Sequence, residues 1–254
     1  MAITPKNNKL NDSKPAAMLY FHGGGCVIGS IETHDALCRF LANQSAVVIF
    51  SVGYRLAPEH KYPAAIIDAI EAWNWLQQNA ESLGVDKNKC GVGGDSAGGY
   101  LAFVLGQSSL HSALPVSAES APTFQYLLYP MLDLVTLFPS YQQRSQGGLL
   151  TTNMMSYFGK HFLNNSEEKK ELLASPLLIS EVKAIKTVVV SVEYDPLRDQ
   201  ALSLVEKLKQ QKIEVKHLHL ADCMHSFISV ASVSTRAMRA TESIAKELTQ
   251  LVES

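Results

Sequence analysis

The chain has 254 residues, 46% of them apolar and 18% charged, which fits a chain that buries a core and excludes an intrinsically disordered one. Its 22 Lys and Arg against 24 Asp and Glu leave a net charge of −2, which argues against a dedicated nucleic-acid binder with its basic patch. No apolar run reaches the ~18 residues of a membrane span, and Met1 to Asn8 shows no apolar stretch of a secretory leader.

Short β-branched runs alternate with helical patterns, which predicts an α/β fold on a mainly parallel central sheet flanked by helices. Ala16 to Phe21 reads as the first buried strand, ended by His22-Gly23-Gly24-Gly25. Thr33 is placed to cap a helix carrying Leu37, Phe40 and Leu41, and Ala46 to Val52 reads as the second strand. Pro63 suits a first helical turn, Ile66, Ile70 and Trp73 follow at i, i+4 and i+7, and Gly84 follows the end of that helix. Cys90 to Gly93 is a shorter strand, and Ser96 to Leu110 a buried helix of small residues. Thr123 to Tyr129 is the fourth strand. Residues 133–180 differ, with a helix from Thr152 to Phe162 and a charged run from Glu167 to Glu171. They read as an insertion over one end of the sheet within a single domain of residues 1–254, a partial cap over the site. Thr187 to Val192, a helix from Leu197 to Lys212, Glu214 to Leu220 and an amphipathic helix from Thr235 to Val252 complete about six strands. The four cysteines, Cys26, Cys38, Cys90 and Cys223, include no C-x-x-C pair, so they predict reduced thiols in a cytoplasmic protein, without a zinc site or disulfide framework.

Gly94-Asp95-Ser96-Ala97-Gly98 fits G-x-S-x-G, the strand-to-helix turn that presents a nucleophilic serine. The plainer reading is a tight βα turn with an incidental serine. In His22-Gly23-Gly24-Gly25, the unhindered N–H groups of Gly23 and Gly24, with that of Ala97, suit an oxyanion hole. A flexible loop or a phosphate-binding turn are the alternatives, the latter without its G-x-x-x-x-G-K-[ST] pattern.

A serine nucleophile needs a base and an orienting acid, in the chain order Ser, Asp or Glu, His on this scaffold. The downstream histidines are His111, His161, His217, His219 and His225. His217 and His219 share one strand face and read as packing. His225, in a loop just after the last strand, can reach Ser96. Asp195 follows a strand end, where sites of open parallel sheets gather, although a helix cap beside Pro196 explains it too. Asp133 is the runner-up, and Asp199 falls one turn into a helix. Asp95 reads as support for the elbow. Cys26 and Cys223 are near the oxyanion loop and His225 in sequence, as thiols open to reagents or as buried inert ones.

Together these segments resemble the bacterial branch of the hormone-sensitive lipase family of α/β-hydrolases. The likeness runs from about Ala16 to Ser229 through His22-Gly23-Gly24-Gly25, Thr33-His34-Asp35, Tyr54-Arg55-Leu56-Ala57-Pro58-Glu59, Gly94 to Gly99, Tyr129-Pro130 and Asp195 to Asp199. The resemblance implies Ser96 as nucleophile, His225 as base, Asp195 as acid, and Gly23, Gly24 and Ala97 as oxyanion donors. It also implies hydrolysis of small-molecule esters with short acyl chains, without metal or organic cofactor. An amide or lactone hydrolase, or a ligand-binding remnant, is the competing reading.

Four departures carry expectations. The family has an N-terminal helical cap and an antiparallel strand pair before the first parallel strand, both largely missing here. That predicts a wetter site and a bare edge on the Ala46 to Val52 strand, hence a homodimer through that edge or reduced stability. Cys26 stands where a large aromatic is usual, which predicts a smaller pocket wall. Ser226 stands for a glycine, and Gln200-Ala201 for Glu-Gly.

Overall fold

The computed structural model describes residues 1–5, 14–146 and 148–253, so Lys6 to Asn8 of the leader reading fall outside the described residues. One sheet holds β1 (Ala2–Ile3), β2 (Ala17–Phe21), β3 (Val48–Val52), β4 (Cys90–Asp95), β5 (Phe124–Leu128), β6 (Lys186–Tyr194) and β7 (Val215–Met224), in the order β1-β3-β2-β4-β5-β6-β7. All neighbours run parallel except β1, which is antiparallel to β3.

The period-2 alternation of the strands divides the core in two. Met18, Tyr20, Ile49, Tyr126 and Val190 face α1 (Ile31–Ser45) and α7 (Thr235–Glu253). Leu19, Phe21, Val92, Leu127 and Val189 face α2 (Ala64–Asn79), α3 (Ala97–Gly106) and α6 (Arg198–Gln210). Burial on both faces is why these strands read as unbroken apolar runs. Between β5 and β6 stand α4 (Pro139–Gln143) and α5 (Thr152–Phe162), the latter with the predicted bounds and capped by Thr151, whose Oγ1 accepts from the Met154 N–H. Among the described residues, no helix is long and apolar enough to cross a membrane.

Four expectations are corrected. The strand β1 is a seventh, and it clips Ala2 opposite Phe50 and Ile3 opposite Ile49. Ile3 is buried in the α1–α7 core and the Ser51 N–H donates to Met1 O, so the β3 edge is not bare. Helix α1 is capped by Ser30, not Thr33. Each takes the other's backbone N–H, at 3.3 and 2.9 Å, so Thr33 is the N3 partner of a capping box. The second parallel strand starts at Val48 because Ala46 ends α1 in the left-handed region at φ 58°. Helix α3 stops at Gly106, after which Ser108–Ala113 tightens into a 3-10 turn.

Candidate active site

The turn between β4 and α3 holds Ser96 at φ 54°, ψ −116°, a conformation costly for a side chain and kept only where the surroundings over-determine it. Here the Ser96 N–H donates to Leu128 O at 2.9 Å, and Ser96 O accepts from the N–H groups of Tyr100 and Met131, both at 3.1 Å. The flanking glycines are required because the end of β2 crosses the turn. A Cβ on Gly98 would sit 1.8 Å from Phe21 O, and one on Gly94 2.4 Å from the same oxygen.

Ser96 Oγ is 3.0 Å from His225 Nε2, and His225 Nδ1 is 2.8 Å from Asp195 Oδ2. A carboxylate only accepts, so Nδ1 carries the proton and Nε2 presents its lone pair to the serine hydroxyl. His225 follows β7 directly, and its own N–H donates to Tyr194 O at 3.2 Å. The Tyr129 ring packs on the imidazole at 4.7 Å, and Ser226 takes the left-handed backbone (φ 58°) in the place of the family's glycine. Asp195 is fully buried just after β6 and faces the histidine; it is not the cap of α6, which starts from Leu197 without a side-chain cap. Asp195 Oδ1 accepts the Leu197 N–H at 2.8 Å while Oδ2 faces the histidine.

The other candidates are committed elsewhere. Asp133 Oδ1 accepts from the N–H groups of Val135 and Thr136, and Asp199 binds the Ser140 N–H and the Arg198 guanidinium. His217 and His219 both meet Ser191 Oγ, at 2.8 and 2.9 Å, on the β6–β7 edge. His111 bonds Val104 O, and His161 packs on Tyr157. Gln200 is buried and pins the chain after β5, accepting from the N–H groups of Leu132 and Asp133 and donating to Asp133 O. Sequence reasoning treated it as a departure and missed this role.

The oxyanion expectation is corrected at one residue. The Gly23 N–H already donates to Asp95 Oδ1 at 3.0 Å, so it is turned away from a substrate. Gly24 (φ 120°) and Gly25 (φ 64°) carry the loop onward along the wall of the cavity that holds Ser96. Cys26 is also corrected. It is 1% exposed and packs in the core beneath the loop rather than in the cavity wall. Burial pushes its thiol up to about 12, and burial with the neighbouring Asp222 pushes the Cys223 thiol up to about 11. Maleimide should therefore leave both thiols of the native protein unlabelled and label them after denaturation. Rapid native labelling at either, read by mass spectrometry, would contradict this burial.

Asp95 joins the elbow to the oxyanion loop. Besides Gly23 it accepts from Tyr20 OH at 2.9 Å and faces His34 Nε2 at 3.2 Å. Burial alone raises the Asp95 carboxyl, but the His34 charge and the hydrogen bonds from His34 and Tyr20 outweigh it and hold the group below the ordinary carboxylate value. Burial alone lowers His34, and Asp95 reverses that, so His34 is raised. A raised histidine stabilises fully below its unfolded value and loses that contribution as pH rises through the raised one. A depressed aspartate stabilises above its unfolded value and loses that contribution as pH falls through the depressed one. The melting-temperature gap between wild type and His34→Gln should thus be widest between about pH 4 and 6.5 and shrink toward alkaline pH. A gap independent of pH would refute the ion pair.

Above this machinery lies a cavity of about 570 Å³. One wall is α5 with Met131, Leu149 and Leu150, and the opposite wall is α1, Ile228 and α7. Among the described residues no group of three or more His, Cys, Asp or Glu converges as metal ligands.

Residues 18–229 match a family model described as alpha/beta hydrolase fold. The chain is 36% identical to the ethyl acetate hydrolase of Pseudomonas putida, over 87% of its own length and 69% of that protein's. It is 33% identical to the carboxylic ester hydrolase LipN of Mycobacterium tuberculosis, over 84% of its length and 57% of the relative's. The chain thus spans a little over half to about two thirds of these relatives. Among solved structures it superposes on the thermostable carboxylesterase EstE1, from a metagenomic library, with a TM-score of 0.86, 36% identity, and coverage of 94% of this chain and 81% of that one. An alpha/beta hydrolase from the Lake Arreo metagenome gives a TM-score of 0.90 at 32% identity, covering 100% and 78%. By the family match and these relatives, the chain belongs to the alpha/beta hydrolase family, among its hormone-sensitive-lipase-like esterases.

Proposed function

We propose that this chain hydrolyses carboxylic esters through an acyl-enzyme on Ser96. What carries the reading is the unbroken hydrogen-bonded line from Ser96 Oγ through His225 to buried Asp195, at the floor of an apolar cavity. His225 Nε2 takes the serine proton as Oγ attacks the carbonyl carbon. The carbonyl oxygen becomes an oxyanion facing the N–H groups of Ala97, Gly24 and Gly25. Asp195 orients and stabilises the imidazolium, which passes its proton to the departing alcohol. Water, deprotonated by His225, then attacks the acyl-enzyme and frees Ser96 and the acid.

Short-acyl esters such as a butyrate are the proposed first substrates, and residues 133–180 the proposed partial cap within one domain of residues 1–254. A fluorophosphonate tests the mechanism directly. Mass spectrometry should find the adduct on Ser96, together with turnover of p-nitrophenyl butyrate. An adduct on another residue would overturn the assignment, and an adduct without ester turnover would favour an amide or lactone hydrolase, or a remnant.

A further inference from the structure

Helix α5 faces the cavity with Met155, Phe158, Gly159 and Phe162, the i, i+3, i+4, i+7 stripe of a helix side turned inward. Gly159 is the anomaly in that stripe. Glycine is the poorest helix former after proline, and this one sits inside an 11-residue helix with its carbonyl in use by the Leu163 N–H.

The two usual reasons for a glycine are both missing. Its φ is not in the left-handed region, unlike Gly84 at +71°. Nor does any neighbour approach, since a Cβ built there meets nothing within 4 Å. By contrast, a Cβ on Gly25 would strike Phe158 at 2.4 Å, which also shows how tightly α5 sits against the oxyanion loop. What the missing side chain leaves is open space in the cavity wall, one residue from the phenylalanine that touches that loop.

We propose that Gly159 makes room for a bulky apolar group of the substrate, aromatic or branched, and that side-chain size at this position sets ester specificity. The inference rests on the ester reading above. A cavity of about 570 Å³ is in the range that encloses drug-sized ligands, well beyond what ethyl acetate fills. The surrounding Met131, Met154 and Met155 are unbranched and polarizable, a wall that adapts to aromatic rings. The substrate is uncharged. The ionisable side chains of the lining are His34, Asp95 and His225, each already paired within the protein, so a buried charge on the ester would find no partner.

The test compares wild type, Gly159→Ala and Gly159→Leu on ethyl acetate, benzyl acetate and ethyl phenylacetate. The readout is kcat/KM for each bulky ester divided by that for ethyl acetate. Gly159→Leu should lower this ratio about ten-fold or more for at least one bulky ester, with Gly159→Ala between it and wild type. Gly159→Ala should also melt no lower than wild type, because the helix gains and nothing is crowded. Equal losses on all three esters, unchanged ratios, or a lower melting temperature for the alanine variant would each overturn the proposal. Should the wild type hydrolyse neither these three nor p-nitrophenyl butyrate, the ester reading fails by itself. Wherever the three esters are not turned over, Gly159 is judged by the affinity ratio of benzyl acetate and ethyl phenylacetate to ethyl acetate, measured by ligand-observed NMR, with the same criteria.

Discussion

Ser96→Ala should lower kcat for p-nitrophenyl butyrate by about a thousand-fold or more while the protein melts close to the wild-type temperature. On the proposed mechanism the hydroxyl removed is the group that forms the covalent bond, so nothing else at the site can replace it. Its structural share is small, being one hydrogen bond to His225 Nε2 at 3.0 Å. The turn itself is held by backbone groups, through Leu128 O, Tyr100 N and Met131 N, which alanine leaves in place. Asp195→Asn should follow closely, because an amide that donates toward Nδ1 selects the wrong tautomer, at a cost of roughly ten-thousand-fold. The measurement is steady-state turnover beside a circular-dichroism melt. A Ser96→Ala protein keeping more than about one hundredth of the activity would sink the nucleophile assignment.

Among the described glycines, Gly98 meets the closest backbone contact, so Gly98→Ala should be the most damaging of their alanine substitutions. The new Cβ would meet Phe21 O at 1.8 Å and Phe21 C at 2.5 Å, both backbone atoms of the central sheet, so no side-chain rotation relieves it. Either α3 lifts or the end of β2 bends, and both carry parts of the site. Overpacking of this kind costs about 1–3 kcal/mol, and more where backbone meets backbone. We expect a fall in melting temperature together with activity lost well beyond the unfolded fraction. Gly159→Ala is the matched control for the melt alone, the same chemical change where no atom lies within 4 Å. If Gly98→Ala folds and turns over like wild type, the close crossing of β2 over the elbow is wrong.

Much of this was legible in the sequence because the informative residues are local. The parallel strands are buried on both faces, so β2 and β6 show as apolar runs whatever surrounds them. The elbow, the glycine loop, Asp195 and His225 each follow a strand end in chain order, and the structure joins Ser96, His225 and Asp195. What escaped depends on contacts distant in sequence. The role of Gly23 is decided by a hydrogen bond to Asp95, 72 residues away. Cys26 adjoins the glycines in sequence, but its positive φ of 58° and its burial take it out of the cavity wall. Strand β1 has two residues, too few for any periodicity, and exists only against Ile49 and Phe50. Ser30 and Thr33 hold one capping box together, and sequence alone favoured the wrong member as the cap.

Strands β2 and β4 are hydrogen-bonded neighbours, with Phe21 opposite Gly94, although some seventy residues separate them along the chain. One ends in the glycine loop proposed to hold the oxyanion and the other at Ser96, the proposed nucleophile. The pairing therefore sets Ser96 beside the glycine loop, since neighbouring strands lie about 4.8 Å apart by backbone geometry alone. On the proposed mechanism the sheet acts as a ruler for the reaction, and the segment between β5 and β6 as a gauge for the reactant. If the proposed cap holds, grafting a different 133–180 segment onto this frame should exchange one preferred ester for another and leave the bond-breaking step in calibration.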